Sequence, residues 1–137
     1  MMLRAVESVV FFVSDIDAAA AWWADLLGSP VGHENPRFAF VHGPGGVLLG
    51  FHPADAKCPG GIGGTTVYWE VDDLDAAVAA LQARGARLHR GPARTDFGAA
   101  VAMLVCPWGC SIGLNQATPA SRQAIQASLS SPPPPSP

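Results

Sequence analysis

Charge is scarce in this sequence. Only 14% of its 137 residues are charged, the formal net charge is −3, and the eight lysine and arginine residues are scattered. Nucleic-acid-binding domains carry a basic patch or stripe, and anionic membrane surfaces attract clusters of basic residues. We therefore expect neither nucleic acid nor a membrane surface as a partner. The 49% hydrophobic content predicts a folded core rather than a disordered chain.

Cysteine is also rare, and long apolar runs are missing. Three cysteines, Cys58, Cys106 and Cys110, cannot all pair within one chain, and an odd number fits a reducing compartment. The N-terminus lacks the long uncharged segment before a small-residue cleavage site that a secretion signal contains. No run approaches the roughly 18 apolar residues of a membrane span. These absences predict a cytoplasmic protein whose cysteines stay reduced.

The common signatures of metal and cofactor sites are missing as well. The four histidines show no His-x-x-x-His spacing on a predicted helix, and Cys106 and Cys110 span a turn with no second pair to complete a zinc site. The glycine-rich segment 60–64 precedes a predicted strand, whereas a dinucleotide-binding motif follows a strand and opens a helix. We expect no cofactor, and we interpret the glycine-rich segment as a hinge.

The sequence does contain a repeat. The segment Ser8–Ala19 returns almost intact at Thr66–Ala77. Each copy is an apolar run rich in β-branched and aromatic residues, which ends at Ser14-Asp15 or at Asp72-Asp73 and is followed by an alanine-rich segment with helical spacing. Side chains of this kind accept hydrogen bonds from the free amides of a helix's first turn. Each copy therefore predicts a strand, an N-cap and a helix.

Three further strands follow each predicted helix, so the chain reads as two βαβββ units. Unit one covers residues 5–53, a proline- and glycine-rich linker covers 54–64, and unit two covers 65–116, together forming one α+β domain over 1–116. The predicted elements are a strand at 7–13, a helix ending at Gly28 and strands at 31–35, 38–42 and 47–52, then a strand at 66–71, a helix at 74–84 and strands at 87–89, 99–105 and 110–115.

The last part of the chain, residues 117–137, is predicted to be an extension of this domain. Ala120 to Leu129 can form a short helix. Ser130 to Pro137 contains five prolines and is expected to be polyproline-like or disordered. We interpret this tail as a solvated terminus rather than a partner-binding motif.

Several short motifs recur in order within this duplicated frame. They are Val13-Ser14-Asp15-Ile16, Trp22-Trp23, Leu27-Gly28, Val71-Asp72-Asp73-Leu74 and Pro107-Trp108-Gly109. Together they resemble the vicinal oxygen chelate superfamily, which includes glyoxalase I, extradiol dioxygenases, fosfomycin resistance enzymes and bleomycin-resistance drug-binding proteins. The resemblance implies a cup-shaped mixed sheet and a domain-swapped or interlocked homodimer. A flexible linker that lets the units pair within or between chains is compatible with such a dimer.

In the enzymes of that superfamily, the first and last strands of each unit supply metal ligands. The matching positions in this chain are Ser8, Gly50, Thr66 and Gly113. Hydroxyls and glycines are poor ligands for a divalent transition metal, which prefers imidazole, carboxylate or thiolate. We therefore expect no metal at these positions and no metal-dependent catalysis.

A concave and largely apolar cleft without a metal suits a protein that binds a bulky organic molecule. The sequence thus predicts non-catalytic sequestration of an aromatic natural product, of the antibiotic self-resistance type, such as a bleomycin-like, mitomycin-like or quinoxaline-type peptide. Two alternatives stay open. One is a glyoxalase-like or dioxygenase-like metalloenzyme with atypical ligands, such as His42, His52 and Glu70. The other is an interaction module whose tail binds another protein and whose cleft is filled by its own side chains.

Strand alternation predicts which residues line the cleft. If Ser8 faces the cleft, Val10 and Phe12 do so too, while Phe11 faces the helix. A tyrosine or tryptophan ring can stack on an aromatic ligand, and a methionine offers an adaptable apolar wall. Phenylalanines in the third strand fit a core position almost as well. The candidate ligand-binding residues are Phe12, Phe38, Phe40, Leu48, His52, Tyr68, Met103, Trp108, Ser111 and Asn115.

Overall fold

The computed structural model describes residue 2 and residues 4–130, with the backbone alone for Ser130. The proline-rich segment 131–137, predicted to be polyproline-like or disordered, lies outside the described residues. The chain divides into two compact units. Unit 1 comprises the described residues up to Gly63 together with Trp108–Cys110, and unit 2 comprises Gly64–Pro107 and the described residues from Ser111 onward.

Unit 1 is a βαβββ unit, as the sequence predicts. Its four strands form one mixed sheet in the order β1-β4-β3-β2, in which β1 and β4 are parallel and the other pairs antiparallel. A single 3-10 turn at Pro44–Gly46 connects β3 to β4. The elements are β1 (Ser8–Val13), α1 (Ile16–Leu27), β2 (Val31–Asn35), β3 (Phe38–His42) and β4 (Leu48–Pro53).

The bounds of α1 follow from its end residues. The Asp15 carboxylate accepts a hydrogen bond from the Ala18 amide at 3.0 Å, which satisfies one of the free amides of the first turn. The helix ends at Gly28, whose φ of 64° lies in the left-handed region that favours glycine. Between the two candidate caps, the structure therefore selects Asp15 rather than Ser14.

Aromatic rings form the core of unit 1 between α1 and the sheet. The Phe11 ring stacks on the Trp23 ring at 5.5 Å and on the Phe51 ring at 5.8 Å between centroids. Trp23 is 1% exposed and Phe51 is fully buried. Burying such side chains contributes about 1.5–3 kcal/mol each. Phe11 faces the helix as predicted, so the alternating residues of β1 lie on the other face of the sheet.

Unit 2 repeats this arrangement and adds a third helix. Its sheet has the order β5-β8-β7-β6, and β5 and β8 are parallel. The elements are β5 (Tyr68–Glu70), α2 (Leu74–Ala83), β6 (Arg87–Arg94), β7 (Ala100–Val105), β8 (Ser111–Gln116) and α3 (Pro119–Ser130).

Two strands of unit 2 differ in length from the prediction. The first strand, expected at 66–71, is confined to Tyr68–Glu70, although backbone hydrogen bonds to β8 continue at Val67 and Val71. The strand expected at 87–89 runs on to Arg94. Its predicted end was wrong because the strand continues through two shifts of register against β7, the second of which spans Gly91-Pro92, so the proline's missing N–H does not stop the strand.

α2 is positioned like α1. The Asp73 carboxylate accepts from the Ala76 amide at 3.0 Å, and the Gln116 side chain accepts from the Leu74 amide at 2.7 Å. Leu74 and other apolar residues of the helix are buried against β6, β7 and β8. Among the residues that the structure describes, no helix is long and apolar enough to cross a membrane.

The duplication extends to the register of the strands. In each unit, one glycine on the last strand is paired on one side with the first strand and on the other side with the third strand. These sets are Val10, Gly50 and Phe40 in unit 1, and Tyr68, Gly113 and Met103 in unit 2.

Candidate functional site

Each sheet has one face packed on a helix and one face that turns away from it. We call the second one the cleft face: it lies opposite α1 in unit 1 and opposite α2 in unit 2. In unit 1 it is rich in aromatic and aliphatic side chains. The strand register places on it Ser8, Val10, Phe12, Phe38, Phe40, His42, Leu48, Gly50 and His52.

Two phenylalanine rings of unit 1 lie directly over glycines. A Cβ atom at Gly50 would lie 2.5 Å from Cζ of Phe38, and a Cβ atom at Gly32 would lie 2.5 Å from Cζ of Phe40. Real Cβ contacts are essentially never shorter than 3.0 Å. Both rings can pack directly onto the sheet because Gly50 and Gly32 have no side chain.

His52 adds a polar group to this aromatic face. Its ring lies 5.2 Å from the Phe12 ring, and its Nδ1 is 2.8 Å from the Pro53 carbonyl oxygen. A carbonyl only accepts, so Nδ1 must donate the hydrogen. In the neutral imidazole, Nε2 is then the acceptor. This atom can receive a hydrogen bond from a ligand.

The cleft face of unit 2 repeats the contact between ring and glycine. A Cβ atom at Gly113 would lie 2.6 Å from Cγ and 2.7 Å from Cδ1 of Tyr68. The tyrosine ring thus lies flat across the glycine, at the position that Val10 occupies in unit 1. Beside it, the Thr66 hydroxyl donates to the Met103 sulfur at 3.9 Å.

A cavity of about 370 Å³ lies within unit 2, between the cleft face and α3. Two predicted ligand-binding residues, Tyr68 and Asn115, line it together with Glu70, which the sequence suggested as an atypical metal ligand. The lining residues are Tyr68, Glu70, Thr95, Phe97, Ala99, Asn115, Ala117, Ser121, Arg122 and Ile125.

α3 is held over this cavity by its first turn. Thr118 and Ser121 cap it reciprocally: the Ser121 amide donates to the Thr118 hydroxyl at 3.0 Å, and the Thr118 amide donates to the Ser121 hydroxyl at 2.9 Å. Pro119 stands at the first helical position, where its missing N–H is harmless. One turn in, the Arg122 guanidinium pairs with the Glu70 carboxylate on β5 at 3.0 Å.

The residues at the expected metal-ligand positions do not fit a metal. Ser8 and Thr66 offer only hydroxyls, and Gly50 and Gly113 lie under the rings of Phe38 and Tyr68. Over the described part of the chain, no group of three or more histidine, cysteine, aspartate or glutamate residues is placed to hold a metal ion.

The structure divides the predicted site residues between two faces. Phe12, Phe38, Phe40, Leu48 and His52 share the cleft face of unit 1. Tyr68, Met103, Ser111 and Asn115 belong to that of unit 2, where Ser111 is buried. Trp108 is half-buried in the turn after β7 and does not line the cavity. Their contact with a ligand stays a prediction.

Sequence reasoning missed the residues that α3 and the 95–99 loop bring to the cavity. The missed residues include Phe97, Arg122 and Ile125. The sequence carries one signal for α3, because Ser121 and Ile125 are four positions apart and share a helix face. The signal does not reveal what the helix covers, and the prediction that residues 117–137 extend beyond the domain places α3 away from the site.

Comparisons with known proteins agree with this geometry. The model of the Glyoxalase/Bleomycin resistance protein/Dioxygenase superfamily matches residues 5–112. The structure of TnmS3, an antibiotic binding protein from Streptomyces sp. CB03234, is similar with a TM-score of 0.69 and 28% identity, over 86% of this chain and 99% of that chain. A glyoxalase/bleomycin resistance protein from the same organism has a TM-score of 0.63 and 28% identity, over 82% and 100%.

A third structure shows likeness of fold alone. It is a member of the glyoxalase/bleomycin resistance protein/dioxygenase superfamily from Sphaerobacter thermophilus DSM 20745, with a TM-score of 0.69 and 23% identity, over 85% of this chain and 100% of that chain. A comparison with curated protein sequences gives no match.

Proposed function

Because this chain belongs to the glyoxalase/bleomycin resistance protein/dioxygenase superfamily, we propose that it is a non-catalytic protein that binds and sequesters a bulky aromatic natural product. The observation that carries the proposal is the pair of contacts between ring and glycine. Phe38 and Tyr68 cover the two last-strand positions from which a metal-binding relative would present ligands. Where a metal site would need carboxylates, this chain presents aromatic surface.

The surroundings of these rings suit an aromatic ligand. Stacked or edge-to-face aromatic pairs contribute about 0.5–1.5 kcal/mol beyond the area they bury. Phe12, Phe40 and His52 extend the aromatic surface of unit 1, and Asn115 adds an amide near Tyr68 in unit 2. The similarity to TnmS3, described as an antibiotic binding protein, adds support for this class of ligand. Bleomycin-like, mitomycin-like and quinoxaline-type compounds all belong to it.

The proposal is tested by titrating the purified protein with one compound of each class and following tryptophan emission. We expect a saturable change with at least one compound. Phe38→Ala and Tyr68→Ala should each weaken the affinity by about 3- to 10-fold, because each removes one stacking partner. Gln82→Ala, at an exposed position of α2, is the matched control and should leave the affinity unchanged.

Two results would contradict the proposal. One is the lack of any emission change with all three compounds at micromolar protein. The other is stoichiometric zinc, iron, manganese or nickel in untagged protein, which would favour the metalloenzyme alternative.

The proposal includes a homodimer in the cytoplasm. The glycine- and proline-rich linker supports the dimer, because it lets units of identical chains exchange at low cost. The odd number of cysteines supports the reducing compartment. Sedimentation that shows only a monomer would refute the dimer.

A further inference from the structure

The cavity beneath α3 is itself shaped for a particular kind of molecule. We propose that it is the place where unit 2 binds its ligand, and that the ligand, or the part of it that enters, is a compact aromatic group without net charge. This inference rests on the proposed function, because Tyr68 and Asn115 belong to both.

Three walls border the cavity, which is partly open to solvent. Tyr68 and Asn115 on the sheet form one wall, and α3 forms the second. The third is the turn at 95–99, where the Thr95 amide donates to the Ala99 carbonyl at 2.9 Å and the Ala99 amide donates to the Thr95 hydroxyl at 3.1 Å. A volume of about 370 Å³ lies near the lower end of ligand pockets, which span roughly 300–1,000 Å³. The cavity therefore fits a compact group rather than a whole large peptide.

The apolar part of the lining is incompletely covered by the protein itself. Tyr68, Phe97 and Ile125 are between 45% and 52% exposed, although all three line the same cavity. Two aromatic rings and one branched aliphatic side chain around a gap provide surfaces on which a planar ring can pack. A bound aromatic group would cover apolar surface that now faces water, and this gain favours binding.

The charges of the lining already compensate each other. Among the described residues around the cavity, Glu70 and Arg122 carry the charges, and they pair at 3.0 Å. An anionic ligand would compete with Glu70 for the guanidinium, and a cationic ligand would compete with Arg122 for the carboxylate. A neutral ligand leaves the pair intact. The geometry therefore favours a ligand without net charge.

α3 is only lightly packed against the rest of unit 2. The side chains of Arg122 and Glu70 are 60% and 74% exposed, so their ion pair holds the helix weakly. Ile125 and Leu129, the large apolar residues of α3, both stay exposed. A ligand packed against Ile125 would add the apolar contact that the helix lacks, and binding should therefore slow the opening of α3.

Two fluorescent probes that share one ring system test the proposal. N-phenyl-1-naphthylamine is neutral, and 8-anilinonaphthalene-1-sulfonate carries an added sulfonate. We expect the neutral probe to bind the protein about 2- to 5-fold more tightly, because the sulfonate must break an exposed ion pair worth at most about 1 kcal/mol or remain uncompensated. Hydrogen exchange of the α3 amides should slow when the neutral probe is bound.

Variants then locate the bound probe. Ile125→Trp fills the cavity and should weaken the neutral probe by at least about tenfold, whereas Gln123→Trp, at an exposed α3 position outside the lining, should not. Phe97→Ala removes one ring from an exposed turn and should weaken the affinity for the neutral probe by about 3- to 10-fold. The second variant keeps the test informative if the larger side chain disturbs α3.

Three outcomes overturn the inference, and they separate it from the proposed function. If the Ile125→Trp and Phe97→Ala variants both bind the neutral probe normally while the Phe38→Ala variant binds it more weakly, the cavity is not the site, but the proposed function stands. If the sulfonated probe binds more tightly, the neutral ligand class is wrong. If neither the probes nor the three antibiotic classes bind the unmodified protein, both proposals fail.

Discussion

Replacing Gly113 by alanine tests the contact between Tyr68 and the sheet of unit 2. The added Cβ atom would lie 2.6–2.8 Å from three atoms of the tyrosine ring. The backbone of Gly113 is outside the left-handed region, so alanine meets no strain of its own there. The clash must therefore be relieved by movement of the Tyr68 ring, which is partly exposed and can shift toward the cavity.

Two opposing terms set the size of the effect. Replacing glycine by alanine restricts the unfolded chain and stabilises the fold by about 0.4–1 kcal/mol. Forcing an extra carbon into a packed contact costs about 1–3 kcal/mol. We therefore expect a net loss of roughly 0.5–2 kcal/mol in the free energy of unfolding. When Tyr68 is already alanine, the clash is gone, and Gly113→Ala should instead stabilise by about 0.4–1 kcal/mol.

The assay is a double-mutant cycle on urea unfolding of the parent, both single variants and the double variant. The expected coupling energy between the two positions is about 1–3 kcal/mol. Gly63→Ala is the matched control, because a Cβ atom there would meet no atom within 4 Å and its φ is also outside the left-handed region. If the single effects simply add in the double variant, the ring does not lie on Gly113 and the reasoning fails.

Three further predictions concern the core and the helix ends. Trp23→Ala should lower the free energy of unfolding by about 3–5 kcal/mol in urea, because the 1%-exposed indole stacks on Phe11; a loss below 1 kcal/mol would contradict that packing. Asp15→Ala and Asp73→Ala should each lower the free energy of unfolding by about 1 kcal/mol, because each removes the N-cap of a helix; an effect in only one of the two variants would argue against equivalent units. Arg122→Gln should change global stability by less than about 1 kcal/mol yet speed hydrogen exchange in α3; unchanged exchange would show that the ion pair does not hold the helix.

The repeated part of the fold was predictable because its signals are local. Asp15 and Asp73 each stand at the junction of an apolar run and an alanine-rich segment, and both cap the helix that follows. Strand alternation then placed Phe11 on the helix side, where it stacks on Trp23. Caps and alternation depend on residues a few positions apart, so the sequence contains all that is needed.

The position of α3 could not be predicted in the same way. Its sequence contains two large apolar residues, Ile125 and Leu129, and both remain exposed in the structure. An apolar stripe this sparse predicts a helix but does not indicate which surface the helix covers. The contact that locates it, between Arg122 and Glu70, joins residues that are far apart in the chain. Of the ten residues that line the cavity, the sequence therefore indicated only Tyr68 and Asn115 as ligand-binding residues.

The two last-strand glycines decide what each position can hold. At Gly50 and Gly113, the lack of a side chain removes a position for a metal ligand and at the same time makes room for the ring of Phe38 or Tyr68. A Cβ atom at either position would lie within 2.6 Å of the ring that covers it, so a ligand-bearing residue and the ring cannot occupy the present arrangement together. Gly50→Glu or Gly113→Glu alone would displace an aromatic side chain rather than build a metal site. Placing metal ligands at positions 50 and 113 would require changes at both members of each pair, so an aromatic ring over the last strand and a metal ligand on it are alternatives at these positions.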